Sequence, residues 1–163
     1  MKKVLFVLAL VAVASVATAQ SAGKYGFNVA YGGGGSNIAV TYHLSDMLAL
    51  RPGLGYTSND NGTTVSTRFT VGSDVLYYLS NADGMGMYVG GGFSYVAKST
   101  DKPETSDSEM DFKGLLGFQY ALNAKLGVYG EVAFSYTSLS GDSGDSSSLG
   151  TKNSGVGLIF YLN

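Results

Sequence analysis

The chain has 163 residues, with no cysteine, no tryptophan and one histidine, but 24 glycines and 12 tyrosines. Ten basic against twelve acidic residues offer no basic face to a nucleic acid. Without cysteine there is neither a disulfide framework nor a thiol for a lipid anchor.

The first residues, Met1-Lys2-Lys3, precede an uncharged apolar run from Val4 to Val13 and then Ala17-Thr18-Ala19. A basic start, a short apolar stretch and a small-x-small site are the layout of a secretory signal peptide, so cleavage is expected after Ala19. The run is too short and too rich in alanine for a membrane-spanning helix, which needs about 20 apolar residues. Loss of residues 1–19 leaves 20–163 as one domain, with eight basic and twelve acidic residues and a net charge of −4. No second long apolar run follows, which excludes a helical membrane bundle but not a barrel.

From residue 24 the chain alternates large apolar residues with small or polar ones, the period of a β-strand. Tyr25, Phe27, Val29 and Tyr31 define the first strand, and Gly32–Ser36 a turn. Ile38, Val40 and Tyr42 form the second, closed by a tight turn at Leu44-Ser45-Asp46. Leu48, Leu50, Leu54 and Tyr56 form the third, in which Pro52 cannot donate to a ladder and predicts a bulge or bend. Val65, Phe69, Val71, Val75 and Tyr77 mark the fourth, Met87, Val89, Phe93 and Tyr95 the fifth. Phe112, Leu116, Phe118 and Tyr120 mark the sixth, Leu126, Val128, Val132, Phe134 and Tyr136 the seventh. Val156, Leu158, Phe160 and Leu162 mark the eighth. Polar loops are expected at 58–62, 99–109 and 138–148, alternating with short turns at 44–47, 80–85 and 122–125.

The expected fold is therefore all-β: an eight-stranded antiparallel up-and-down transmembrane barrel with both termini on the short-turn side. Ten residues at roughly 3.3 Å, tilted by about 45°, cross about 23 Å, close to the apolar band of an outer membrane. Tyrosines near the strand ends suggest two aromatic girdles, Tyr31, Tyr56, Tyr95 and Tyr136 at one rim and Tyr42, Tyr78, Tyr120 and Tyr161 at the other. Tyrosine suits the headgroup layer because its body is apolar and its tip polar. The alternative, a soluble barrel with its apolar face inward, needs a charged exterior, and the polar face here is mostly Gly, Ser, Thr and Ala.

The pattern over 20–163 resembles the small eight-stranded outer-membrane barrels, the porin-like group that includes the OmpA-type transmembrane domain. The segment Asn153 to Phe160, with Asn153, Gly155, Leu158 and Phe160 at its key positions, is similar to that family's terminal signal for the barrel-assembly machinery. The chain departs from the usual aromatic last residue by continuing through Tyr161 and Leu162 to Asn163. The resemblance implies an integral bacterial outer-membrane protein in contact with outer-membrane lipid and lipopolysaccharide. No cofactor is implied.

Parity turns several charges inward: Arg51, Arg68, Asp74, Asp111, Lys113 and Glu131. Eight strands leave a lumen that side chains can fill, so an ion-paired network plugging the barrel is expected, with a small-solute channel as the alternative. His43 lies at the periplasmic end beside a short turn, and the nearby Asp46 reads as a turn aspartate that satisfies backbone N–H groups, so the constellation of a hydrolase is missing and no enzyme is expected. Gly32–Gly35 lacks the lysine and helix of a phosphate loop. Asp101, Glu104, Asp107 and Glu109, with Asp142 and Asp145, lack a metal-ligand spacing and read as solvated loops open to an extracellular partner.

Overall fold

The computed structural model describes residues 23–32, 35–82, 84–101 and 103–162, the side chains at 32, 35–36, 81–82 and 152–153 excepted. The expected leader at 1–19 lies outside the described residues, as does the side chain of Asn153. Eight strands follow in chain order: β1 Tyr25–Gly32, β2 Gly35–His43, β3 Leu48–Asp60, β4 Val65–Ala82, β5 Met85–Asp101, β6 Glu104–Ala121, β7 Leu126–Gly141 and β8 Ser146–Leu162. Each pairs antiparallel with its sequence neighbours, and β8 returns to β1 to close the barrel. Closure gives every strand a paired neighbour on both sides, the arrangement by which strands can span lipid.

The large apolar residues face outward and the small and polar ones inward. Phe69, Val71, Leu116, Phe118, Val132 and Phe134 are exposed on the outer wall, whereas Leu76, Leu115, Arg51, Asp74 and Asp111 are buried inside. This inversion of a soluble protein is what a lipid solvent requires.

The strands differ greatly in height. β1 and β2 have 8 and 9 residues, whereas β4 to β8 have 16 to 18. Seventeen residues extend for roughly 56 Å, about 40 Å along the axis at a 45° tilt, well beyond a ~25 Å apolar band. The stretch expected to be an acidic loop at 99–109 is instead ladder: Lys98 pairs with Asp107, Thr100 with Thr105 and Asp101 with Glu104. The stretch expected as a loop at 138–148 is likewise strand except at 142–145, since Ser138 pairs with Ser147 and Leu139 with Ser146. Outside the membrane both faces of a strand meet water, so apolar alternation disappears while backbone pairing continues.

The bulge expected at Pro52 does not form. The β3–β4 register runs through Pro52↔Ser73 without a shift. On the other side the β2–β3 ladder lapses between Ala39↔Gly53 and Tyr42↔Leu50 and resumes in the same register. The missing N–H thins the ladder on one side without adding a residue. Register shifts occur instead in β4 at Tyr78/Ser80 and where β8 opposes Glu131/Ala133.

Tyr31, Tyr56, Tyr95 and Tyr136 all face outward at the taller rim. At the other rim Tyr120 is exposed, and Tyr42 stacks on the exposed Tyr25 at 4.6 Å between ring centroids. Tyr78 and Tyr161, expected in that girdle, are buried inside. Parity is the reason: Tyr77 and Leu79 occupy the outward positions around Tyr78, and Phe160 and Leu162 those around Tyr161.

Candidate functional site: the barrel lumen

The interior is stacked in tiers. Nearest the short turns, Tyr78, Tyr161 and His43 crowd together, with His43 5.4 Å from the Tyr78 ring and 6.3 Å from the Tyr161 ring. Tyr78 donates its hydroxyl to Gln119 Oε1 at 3.3 Å, and Gln119 donates its amide to the Tyr161 hydroxyl. Both ring nitrogens of His43 are buried without a hydrogen-bond partner. This tier is uncharged.

Above it lies an ionic tier. Arg51 on β3 donates to Asp74 Oδ2 on β4 through Nη2 at 2.8 Å and Nε at 3.2 Å. Its other arm, Nη1, reaches Glu131 Oε1 on β7 at 2.5 Å. Tyr88 on β5 donates its hydroxyl to the same Glu131 oxygen at 2.6 Å. Lys113 on β6 lies 2.8 Å from Asp74 Oδ1. The Arg51 guanidinium also sits 5.6 Å from the centre of the Tyr129 ring. Two cations and two carboxylates thus balance, which is how charges are tolerated in a confined interior. Glycine makes the space: a Cβ on Gly92 would collide with Asp74 Oδ1.

Arg68 and Asp111 belong to a separate upper tier. Asp111 accepts from Thr137 and, at 3.5 Å, from Ser94. Arg68 lies 3.6 Å from Glu109, which also pairs with Lys98. The six inward charges read from the sequence therefore fall into two groups, with Arg51, Asp74, Lys113 and Glu131 in one. Glu109 was read as a loop carboxylate, and Lys98 lay between the last residue read for the fifth strand and that loop. Tyr88, Gln119 and Tyr129 were legible by parity, as neighbours of outward residues, but lacked charge to draw attention to them.

The acidic residues at the outer end are divided in role. Glu109 is buried in the upper tier. The Asp107 carboxylate accepts from the Ser143 N–H at 2.9 Å and its hydroxyl at 2.6 Å, joining the β5–β6 hairpin to the β7–β8 turn. Asp101 and Glu104 remain exposed. Among the described residues no three metal-ligating side chains cluster.

A cavity of about 160 Å³ lies above the ionic tier. Its lining includes Arg51, Asp74, Lys113 and Glu131 as floor, and none of the aromatic tier beneath. It forms a vestibule above the ionic tier.

The chain matches the outer membrane protein beta-barrel domain over residues 5–160, and it belongs to that family. It is an outer-membrane β-barrel protein. Among solved structures it is similar to the N-terminal barrel domain of Pseudomonas aeruginosa OprF, with a TM-score of 0.59, 13% identity, 88% of this chain covered and 100% of that one. A major outer membrane protein from Thermus thermophilus gives a TM-score of 0.53 at 17% identity, with 85% and 98% covered. Neisserial surface protein A gives 0.52 at 15% identity, with 85% and 90% covered. At these identities the likeness is one of fold. No curated protein matches the sequence.

Proposed function

We propose that this protein is a non-conducting barrel with a structural or surface-interaction role, its lumen closed by its own polar side chains. The observation that carries this reading is the Arg51 guanidinium joined to Asp74 on one side and Glu131 on the opposite wall. An ion crossing the barrel has to break that bridge and then pass an aromatic tier that carries no opposite charge. The outer ends of β3 to β8, standing above the membrane, are the surface offered to partners, with Asp101 and Glu104 as their exposed acidic tips.

The rival reading, a small-solute channel, draws on the vestibule, which shows that the upper lumen is not solid. Single-channel recording of the refolded protein separates the two. Steady conductance at rest selects the channel, and a silent bilayer containing folded protein selects the plug.

A catalytic role is not favoured. The one histidine has no hydroxyl or carboxylate in hydrogen-bond reach of either ring nitrogen, whereas a general base needs a nucleophile there. Export with cleavage after Ala19 completes the proposal, and intact-mass analysis of membrane-fraction protein should find a chain starting at Gln20. Leu158 and Phe160 face outward on β8 and Gly155 pairs with Gly32, an arrangement compatible with reading by the assembly machinery. Lipid and lipopolysaccharide are the surroundings the outward apolar wall calls for.

A further inference from the structure

The wall of this barrel is incomplete on one side. The β1–β8 ladder ends at Gly32↔Gly155 and the β2–β3 ladder at Asn37↔Gly55, yet β8 continues to Ser146 and β3 to Asp60. Above the β1–β2 hairpin two strands are therefore missing. The gap between β3 and β8 is about 14 Å wide at the ordinary spacing of paired strands. Tyr31 and Tyr56, 77% and 65% exposed, stand at its lower edge. Unpaired strand edges are not tolerated against hydrocarbon, so the notch opens at the level of the lipid headgroups, where tyrosines belong.

The vestibule reaches this notch. Its lining combines Tyr31, Ile38, Leu54 and Tyr56, which face lipid, with the charged side chains of the lumen. Asn37, Gly55 and Gly155 in that lining are the last ladder partners beside the gap, so the cavity lies at the foot of the notch. Three cations, Arg51, Arg68 and Lys113, and three carboxylates, Asp74, Asp111 and Glu131, line it together. A head bearing net charge would leave one charge uncompensated in a confined space, whereas hydroxyls can bond to Thr70 and Ser94 without that cost. The volume resembles that of an engineered cavity of ~150 Å³ that holds one benzene, so the head is small.

We propose that the vestibule is a lateral binding site for a single-chain amphiphile with a compact, net-neutral, hydroxylated head, entered from the outer leaflet through the notch between β3 and β8. The head lies above Arg51 among Thr70 and Ser94, and the chain lies outside along Ile38 and Leu54. This depends on the outer-membrane placement and not on a closed lumen, so conductance and binding can fail independently.

The test uses the whole mature barrel in phosphatidylcholine nanodiscs, free of detergent, titrated with monooleoylglycerol, oleate or oleylamine at a few mole per cent while amide NMR shifts are followed. Saturable shifts at Gly53, Gly55 and Thr70 with monooleoylglycerol, and at least tenfold weaker responses with the two charged probes, are expected. Thr70→Phe, which fills the vestibule, should abolish the saturable response. Shifts confined to the outer-face residues Ile38, Leu54 and Tyr56 would mean ordinary lipid contact and overturn the site. Equal responses to all three probes would overturn the neutral head. The wild-type titration stands on its own if Thr70→Phe does not fold, and undiminished binding to a folded Thr70→Phe protein would also overturn the proposal.

Discussion

Arg51 and Glu131 meet across the full width of the barrel. They sit on β3 and β7, four strands apart in a ring of eight, with Nη1 and Oε1 at 2.5 Å. Glu131→Ala should destabilise the barrel by roughly 3–5 kcal/mol, because removal of one partner leaves a buried charge short of compensation. Arg51→Ala combined with Glu131→Ala should cost less than the two single changes summed, with a coupling of about 0.5–3 kcal/mol. Urea unfolding from lipid vesicles measures all three. Simple additivity would mean that the two groups do not act as a pair.

The wall can be tested at one pair of neighbours. Leu116 faces lipid and Leu115, beside it, is buried in the lumen. Leu116→Arg should hinder insertion by roughly 2–4 kcal/mol if it lies near the bilayer midplane. The folded fraction, read from the different gel mobility of unboiled and boiled samples, should fall sharply. A barrel with its apolar face inward would scarcely respond.

Glycine placement offers a finer probe. A Cβ at Gly117 would lie 2.5 Å from the Tyr88 ring, whereas one at Gly114 meets nothing within 4 Å. Tyr88 is fully buried and held by its bond to Glu131, so it has little freedom to yield. Gly117→Ala should cost about 1–3 kcal/mol as an overpacked site. Gly114→Ala should stay within about 0.5 kcal/mol. Equal effects in thermal unfolding would refute the packing argument.

At the outer end, the two Ser143 hydrogen bonds hold the Asp107 carboxyl below its ordinary pKa. A depressed pKa means that the contact favours the ionised form. Its contribution is complete above the unfolded-state value and is lost only as pH falls through the lower folded value. Exchange protection of the Ser143 amide should therefore persist from neutral pH into mild acid and decline below the usual carboxylate range. Asp107→Asn should show weaker protection at neutral pH and no such decline. Loss of protection in the wild type already near pH 6 would contradict this.

Much of this arrangement was legible because a strand has a period of two. Once Leu50 and Leu54 were outward, Arg51 had to be inward, and the same reasoning placed Asp74, Lys113 and Glu131. The parity argument fails where tyrosine chemistry is allowed to override it. Tyr78 and Tyr161 suit a girdle by type, but their neighbours fix them inside. It is also silent beyond the membrane, where Ser, Thr and Asp occupy both faces and a strand reads like a loop. Lys98, Glu109 and the Asp107–Ser143 contact were lost there. The unequal strand heights, and with them the notch, depend on where pairing stops, and apolar patterning carries no record of that.

The outer ends of this protein are hairpins, so residues adjacent in sequence are not displayed together. Along β6, Glu109 is buried while Met110 is exposed, and the segment around it is held on both sides by ladders to β5 and β7. An antibody raised against a free peptide spanning 99–109 meets a flexible chain with all its carboxylates available. The native surface presents that chain stretched and half-hidden. Sera raised against such a linear peptide would then bind the denatured chain better than the folded barrel.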